Sequence, residues 1–161
     1  MNERNREARG EAFTELILGL MRANNVTLTW GDRLVAPFGL TSARWQILGA
    51  IALSDQARPV AWIARDLGSN RQNVQRIVND LNKEGLVTFE PNPHHRRANL
   101  VVLTPKGQSA YAAALAEYNP RVNTLANGMT ISEIRLASQV LSKLRAKLEQ
   151  ELDAVAPTQA S

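Results

Sequence analysis

The chain has 161 residues, 44% of them hydrophobic, with 19 basic against 15 acidic side chains and a formal net charge of +4. That length suits one globular unit with a real core. The absence of cysteine excludes disulfide frameworks, thiolate metal sites and cysteine nucleophiles or redox sensors. No apolar run approaches the ~20 residues of a membrane helix. The charged start MNERNREARGE lacks the apolar stretch of a secretory signal, so a cytoplasmic protein without a membrane segment is expected.

In chain order, Phe13, Leu16, Ile17, Leu20, Met21 and Leu28 recur at helical spacing and predict a helix over residues 11–30. GDRLVAPFGL reads as a loop, broken by Pro37 and Gly39. Thr41 is a candidate N-cap for a helix through about Leu53. Leu40 and Trp45 are spaced as a hydrophobic staple, and Trp45, Leu48 and Ile51 face inward.

A short helix over Val60–Leu67 follows, stopped by Gly68. Ser69 and Gln72 have the spacing of a capping box, which predicts a second helix ending at Gly85 with Val74, Ile77, Val78 and Leu81 on its buried face. Two helices about three residues apart form a helix-turn-helix. Leu86–Phe89 and Asn99–Leu103 then read as antiparallel strands around the polar tip EPNPHHRRA. Thr104-Pro105 starts another helix toward Pro120, which bends there or resumes beyond it. Thr130 and Glu133 form a second capping box before the stripe Ile134, Ala137, Leu141, Leu144 and Leu148. The expected fold is mainly α with a small antiparallel β wing. It is a single 1–161 domain in which a winged helix-turn-helix lobe at 41–104 is flanked by dimerisation helices at 11–30 and 106–152.

The charge is uneven along the chain. Residues 60–107 carry seven basic and four acidic side chains, a net of +3, while residues 108–161 are neutral overall. The surplus sits where phosphate attraction requires it. Opposite the apolar face of the second short helix lie Gln72, Gln75, Arg76, Asn79 and Lys83, with Arg71 and Asn73 beside them. Arginine reads guanine bidentately, and Gln or Asn reads adenine, so this face suits the major groove. Ser69 and Asn70 at its start offer hydroxyl, amide and backbone N–H groups to phosphates. Arg96 and Arg97 at the hairpin tip suit a minor groove or a phosphate clamp.

The run Leu40–Gly107 resembles the MarR family of bacterial regulators, through LTSARWQIL, SNRQNVQRIVNDLNKEGLV and the wing ending RR…VVLTPKG. The resemblance implies a symmetric homodimer held by the terminal helices and bound to a pseudo-palindromic operator in double-stranded DNA. It also implies a repressor released by a small molecule in a cleft between the dimerisation helices and the DNA-binding lobe. By the same resemblance Trp30, Arg44 and Trp45 are candidate effector residues, since aromatic faces and a guanidinium suit an aromatic or anionic ligand. The competing assignment makes Trp45 core and Arg44 one side of a subunit salt bridge. The family usually places an acid before the two wing arginines, whereas this chain has Asn92-Pro93-His94-His95-Arg96-Arg97. His95 cannot supply that negative charge. The wing is therefore expected to be more positive or more mobile, with DNA affinity falling as rising pH deprotonates histidine.

The adjacent histidines point to opposite sides of an extended tip and lack a third partner, so no metal site and no cofactor are expected. No nucleophile–base arrangement or phosphate-cradling glycine loop marks an enzyme. The rival class is a winged helix that binds proteins and no specific DNA.

Overall fold

The computed structural model describes residues 7–95 and 97–155. Six helices and a three-stranded sheet follow one another as α1 (Ala8–Val35), α2 (Ser42–Ala52), β1 (Arg58–Pro59), α3 (Val60–Asp66), α4 (Arg71–Lys83), β2 (Val87–Glu90), β3 (Leu100–Leu103), α5 (Pro105–Leu125) and α6 (Ile131–Val155). Residues up to Asn119 form one compact unit and those from Pro120 a second.

The core of the first unit is the buried set Leu48, Val74, Val78, Leu81, Val87 and Val101 with their neighbours, drawn from α2, α4 and the sheet. On α4, Val74, Ile77, Val78 and Leu81 are all buried, at the three- and four-residue spacing expected of one helical face. Each such side chain contributes roughly 1.5–3 kcal/mol by leaving water.

The first helix is longer than its sequence pattern suggests. It continues through Gly31–Val35, and a short 3-10 turn spans Ala36–Phe38. Tertiary contact explains the extension. Leu34 and Val35 are buried, the Ser42 N–H donates to Asp32 Oδ1 at 2.6 Å, and Ser42 Oγ donates to the Leu28 carbonyl at 2.9 Å. Gly31 faces the Ser42 side chain so closely that a Cβ there would displace it. The predicted loop is thus confined to a few residues around Gly39, and Thr41 caps α2 by accepting from the Arg44 N–H.

The sheet has order β1-β3-β2 and is antiparallel throughout. The hairpin pairs Val87 with Leu103 and Phe89 with Val101, while Arg58 and Pro59 add to the other edge of β3 opposite Val101 and Leu100. The sequence reading misses β1. Two residues, one of them proline, carry no alternating pattern, and only pairing to β3 makes them a strand. Thr104 caps α5 as expected: its hydroxyl accepts from the Gly107 N–H at 3.1 Å and donates to the Gly85 carbonyl at 2.6 Å. α5 runs on through Pro120 to Leu125, so the proline lies inside a continuous helix.

In the second unit the Thr130–Glu133 capping box is formed. Glu133 Oε2 accepts from the Thr130 N–H at 2.7 Å, and Thr130 Oγ1 accepts from the Glu133 N–H at 3.2 Å. The bonds from the Thr130 backbone and hydroxyl hold the Glu133 carboxyl below its ordinary pKa. A depressed carboxylate pKa stabilises the fold above the unfolded-state value, and that contribution disappears as pH falls through the folded-state value. The difference in melting temperature between the parent chain and Glu133→Gln, at fixed protein concentration, should therefore be widest near neutral pH and close under acid. A gap that stays constant down to pH 3 contradicts this role for the ionised carboxylate.

Candidate nucleic-acid interface

α3 and α4 are joined by a turn whose hydrogen bonds decide where α4 begins. The Gly68 N–H donates to the Arg65 carbonyl and the Ser69 N–H to the Ala64 carbonyl, at 3.1 and 2.8 Å. Gly68 has φ +60°, which glycine adopts without steric cost. Ser69 is therefore part of the stop of α3, and the N-cap moves one residue on. Asn70 Oδ1 accepts from the Gln72 and Asn73 N–H groups at 2.8 and 3.3 Å. The Ser69–Gln72 capping box expected from sequence is replaced by an Asn70 cap: the Ser69 N–H that the Gln72 side chain would have to meet is already bonded to the Ala64 carbonyl.

On the solvent side of α4, Arg71, Gln72, Asn73, Arg76 and Asn79 are exposed and Gln75 is half-buried. Four of them are paired along the helix. Arg76 Nη2 donates to Asn73 Oδ1 at 3.0 Å, and Gln75 Nε2 donates to Asn79 Oδ1 at 3.0 Å. Asp80 lies 3.8 Å from Arg76 Nη1 and 3.4 Å from Lys83 Nζ. These i,i+3 and i,i+4 contacts are individually weak, roughly 0.2–0.5 kcal/mol, so a nucleobase or phosphate can replace them.

The wing brings a second group to this face. Arg97, Ala98, Asn99 and Phe89 line a cleft of about 250 Å³ together with Arg71 and Gln75 of α4 and Pro59–Ala61. The other arginine of the pair, Arg96, lies outside the described residues. The tip is tied by Asn92: its Nδ2 donates to the Ala98 carbonyl at 3.0 Å, its Oδ1 accepts from the His94 N–H at 3.0 Å, and its carbonyl accepts from the His95 N–H at 3.3 Å. His94 lines a shallow cleft with Arg58 and Leu100, and His95 is exposed.

The candidate effector residues separate into two places. Tyr118 of α5 meets both indoles at steep angles, tilted against Trp30 and edge-on to Trp45, with ring centroids 5.9 Å and 5.1 Å away. The Trp45 Nε1–H is buried without a hydrogen-bond partner among the described residues. Arg44 instead forms an ion pair with Glu84 at the end of α4 and donates to the Gly39 carbonyl at 3.0 Å. It shares a cleft of about 400 Å³ with Arg76, Asp80 and Lys83. Tyr118 is absent from the sequence reading of this cluster because nothing local links it to tryptophans more than seventy residues away.

Three comparisons bear on this arrangement. A family profile described as MarR family matches residues 38–98, from the end of the 3-10 turn through the wing. The chain belongs to the MarR family. An uncharacterised protein of Mycobacterium tuberculosis, Rv2011c, is 34% identical over 135 residues, which span 84% of this chain and 89% of that one. The transcriptional activatory protein BadR of Rhodopseudomonas palustris is 30% identical over 65% of this chain and 61% of its own length. Among solved structures, the transcriptional repressor CouR bound to a 23-mer DNA duplex has the same fold, with a TM-score of 0.72, 24% identity, and coverage of 88% of this chain and 99% of that one. The family and fold are those of DNA-binding transcription regulators with a winged helix. Among the described residues no helix is long and apolar enough to cross a membrane.

For a MarR-family wing, the departure lies in what holds the tip. His95 stands where the family pattern leads one to expect an acid, the tip bonds are made by the neutral amide of Asn92, and residues 91–99 contain no carboxylate. The sequence signal was present as Asn92-Pro93, a turn-forming pair whose side chain bonds the backbone two residues on.

The cap assignment yields a direct test by urea denaturation. Asn70→Ala should cost about 1 kcal/mol, the usual value of a lost cap. Ser69→Ala should stay within about 0.5 kcal/mol, as for an ordinary surface site. Comparable losses at both positions would return the cap to Ser69.

Proposed function

We propose that this chain is a sequence-specific regulator that binds double-stranded DNA as a symmetric homodimer, acts as a repressor, and is released by a small aromatic or anionic effector. The observation that carries the DNA reading is the single surface made by α4 and the wing. Gln72, Asn73, Arg76 and Asn79 lie on the open side of a helix whose other side is core, and Arg71, Gln75 and Arg97 line one cleft beside it. In this reading the α4 side chains meet base edges. Ser69 and Asn70 meet phosphates at the helix start, and His95, Arg96 and Arg97 meet the flanking backbone or minor groove.

Salt and sequence dependence test it. Duplexes selected from genomic fragments should bind better than scrambled ones, and all binding should weaken steeply with salt. Arg76→Ala should relax base preference at a cost of about 1–3 kcal/mol, whereas Arg97→Ala should weaken selected and scrambled duplexes alike. A folded chain that prefers no duplex would instead support a protein-binding winged helix. Since BadR is named an activator and CouR a repressor, a promoter fusion with and without the protein tests repression: rising output on addition of the protein contradicts it.

Two uncovered apolar faces support the dimer. On α1, Phe13, Leu16, Met21 and Leu28 are exposed, and on α6 Ile134, Leu141, Leu148 and Leu152 are exposed. Exposed apolar faces of this extent favour association, and in the proposed homodimer each would be covered by a second copy of the chain. Two recognition helices would then enter successive major grooves ~34 Å apart. Light scattering at micromolar concentration should give a dimer of 161-residue chains, and a monodisperse monomer refutes it. For release, the Trp30–Tyr118–Trp45 cluster offers aromatic faces, and the unmet Trp45 N–H offers a donor to a ligand oxygen.

A further inference from the structure

Glu84, the residue that ends α4, is gripped from two sides. Its carboxylate forms the ion pair with Arg44 of α2, and its carbonyl accepts from Lys106 Nζ of α5 at 2.8 Å. Arg44 is no loose surface arginine. Its side chain is 18% exposed, against 69% and 77% for Arg76 and Lys83, and it is also anchored on the Gly39 carbonyl. Next to these bonds, Thr104 Oγ1 donates to the Gly85 carbonyl, and Gly107 is packed on the Leu86 carbonyl so tightly that a Cβ would overlap it. The end of α4 is thus fastened to α2 and to the first turn of α5.

Those same two helices meet at the aromatic cluster. Trp45, the neighbour of Arg44, packs edge-on against Tyr118 of α5, and Gly49 of α2 faces the Tyr111 ring of α5. Any relative shift of α2 and α5 at Tyr118 therefore pulls on Glu84 through two separate cations. From Arg71 to the C-cap residue Glu84, α4 is a lever of about 20 Å at 1.5 Å per residue. Turning it by about 5° moves its base-facing start by about 2 Å, enough to break hydrogen-bond geometry.

We infer that Glu84, held by Arg44 and Lys106, is the joint that sets the pitch of the recognition helix against the α2–α5 pair, and that Arg44 and Glu84 are positioning residues for base readout rather than ligands of DNA or effector. This rests on the DNA-binding reading above. Neither side chain has to touch the duplex for the effect, and Glu84 would only repel a phosphate.

The test is a double-mutant cycle on the full chain, with Glu84→Gln, Arg44→Met and the double variant. The readout is the ratio of affinity for a selected genomic duplex to that for a scrambled duplex of equal length, across a salt series. Each single substitution should lower that ratio about tenfold, and the double should lower it no further, because the two side chains act as one pair. For Glu84→Gln, scrambled-duplex affinity and its salt slope should not fall, since no phosphate contact is lost. Glu84 is half-exposed, so Glu84→Gln should keep a cooperative melt in circular dichroism even if Arg44→Met does not. An unchanged ratio in Glu84→Gln overturns the proposal. So do losses that multiply in the double variant, or equal loss on selected and scrambled duplexes. A parent chain that prefers no duplex overturns the regulator reading itself, which the variants alone cannot do.

Discussion

The structure depends on how the two ends of α4 are closed. At each end a glycine in the left-handed region lets the chain turn back on the helix just finished: Gly68 closes α3 onto the start of α4, and Gly85 closes α4 onto the start of β2. The second turn repeats the first bond for bond, with the Gly85 N–H on the Asn82 carbonyl and the Leu86 N–H on the Leu81 carbonyl. Four apolar residues between the turns are buried, so α4 can neither slide nor roll without exposing core. The turns and the buried face fix where α4 sits, and the small freedom left in its pitch is what the proposed joint at Glu84 would settle.

The polar side of α4 shows a different economy. Asn73 and Arg76, Gln75 and Asn79, and Asp80 with Arg76 and Lys83 pair one turn apart, and most of these side chains are exposed. Pairs of this kind add little stability in water, yet they limit the conformers that long side chains sample before they meet a ligand. Arg44–Glu84 stands apart, because it joins two helices and one of its members is largely buried. An ion pair between elements constrains their relative placement even when its net contribution to stability is small.

The wing reaches order by an amide rather than a carboxylate. Asn92 spans the hairpin tip with its side chain and carbonyl, leaving the neighbouring basic groups without a local counter-charge among residues 91–99. In a protein whose basic surplus already lies in this lobe, that keeps the wing attractive to any polyanion, and in the function proposed above discrimination would then fall to α4.

Much of this was legible in the amino-acid order. Periodicity marked the buried face of α4, glycine marked the helix stops, Thr130 and Glu133 marked the start of α6, and the polar face of α4 with the wing arginines marked the candidate interface. These are local signals, written within a turn or two of the residues they govern. Tertiary contact decided the rest. Asn70 rather than Ser69 caps α4 because the backbone bonds closing α3 had used the Ser69 N–H. α1 extends to Val35 because Ser42 and the core hold its last turn, and two residues become β1 because β3 lies beside them. Arg44 faces Glu84 while its neighbour Trp45 faces Tyr118, a division between partners 40 and 73 positions away that no local spacing encodes. Sequence determines what a segment can form with its neighbours; which distant groups it meets depends on how the finished elements pack.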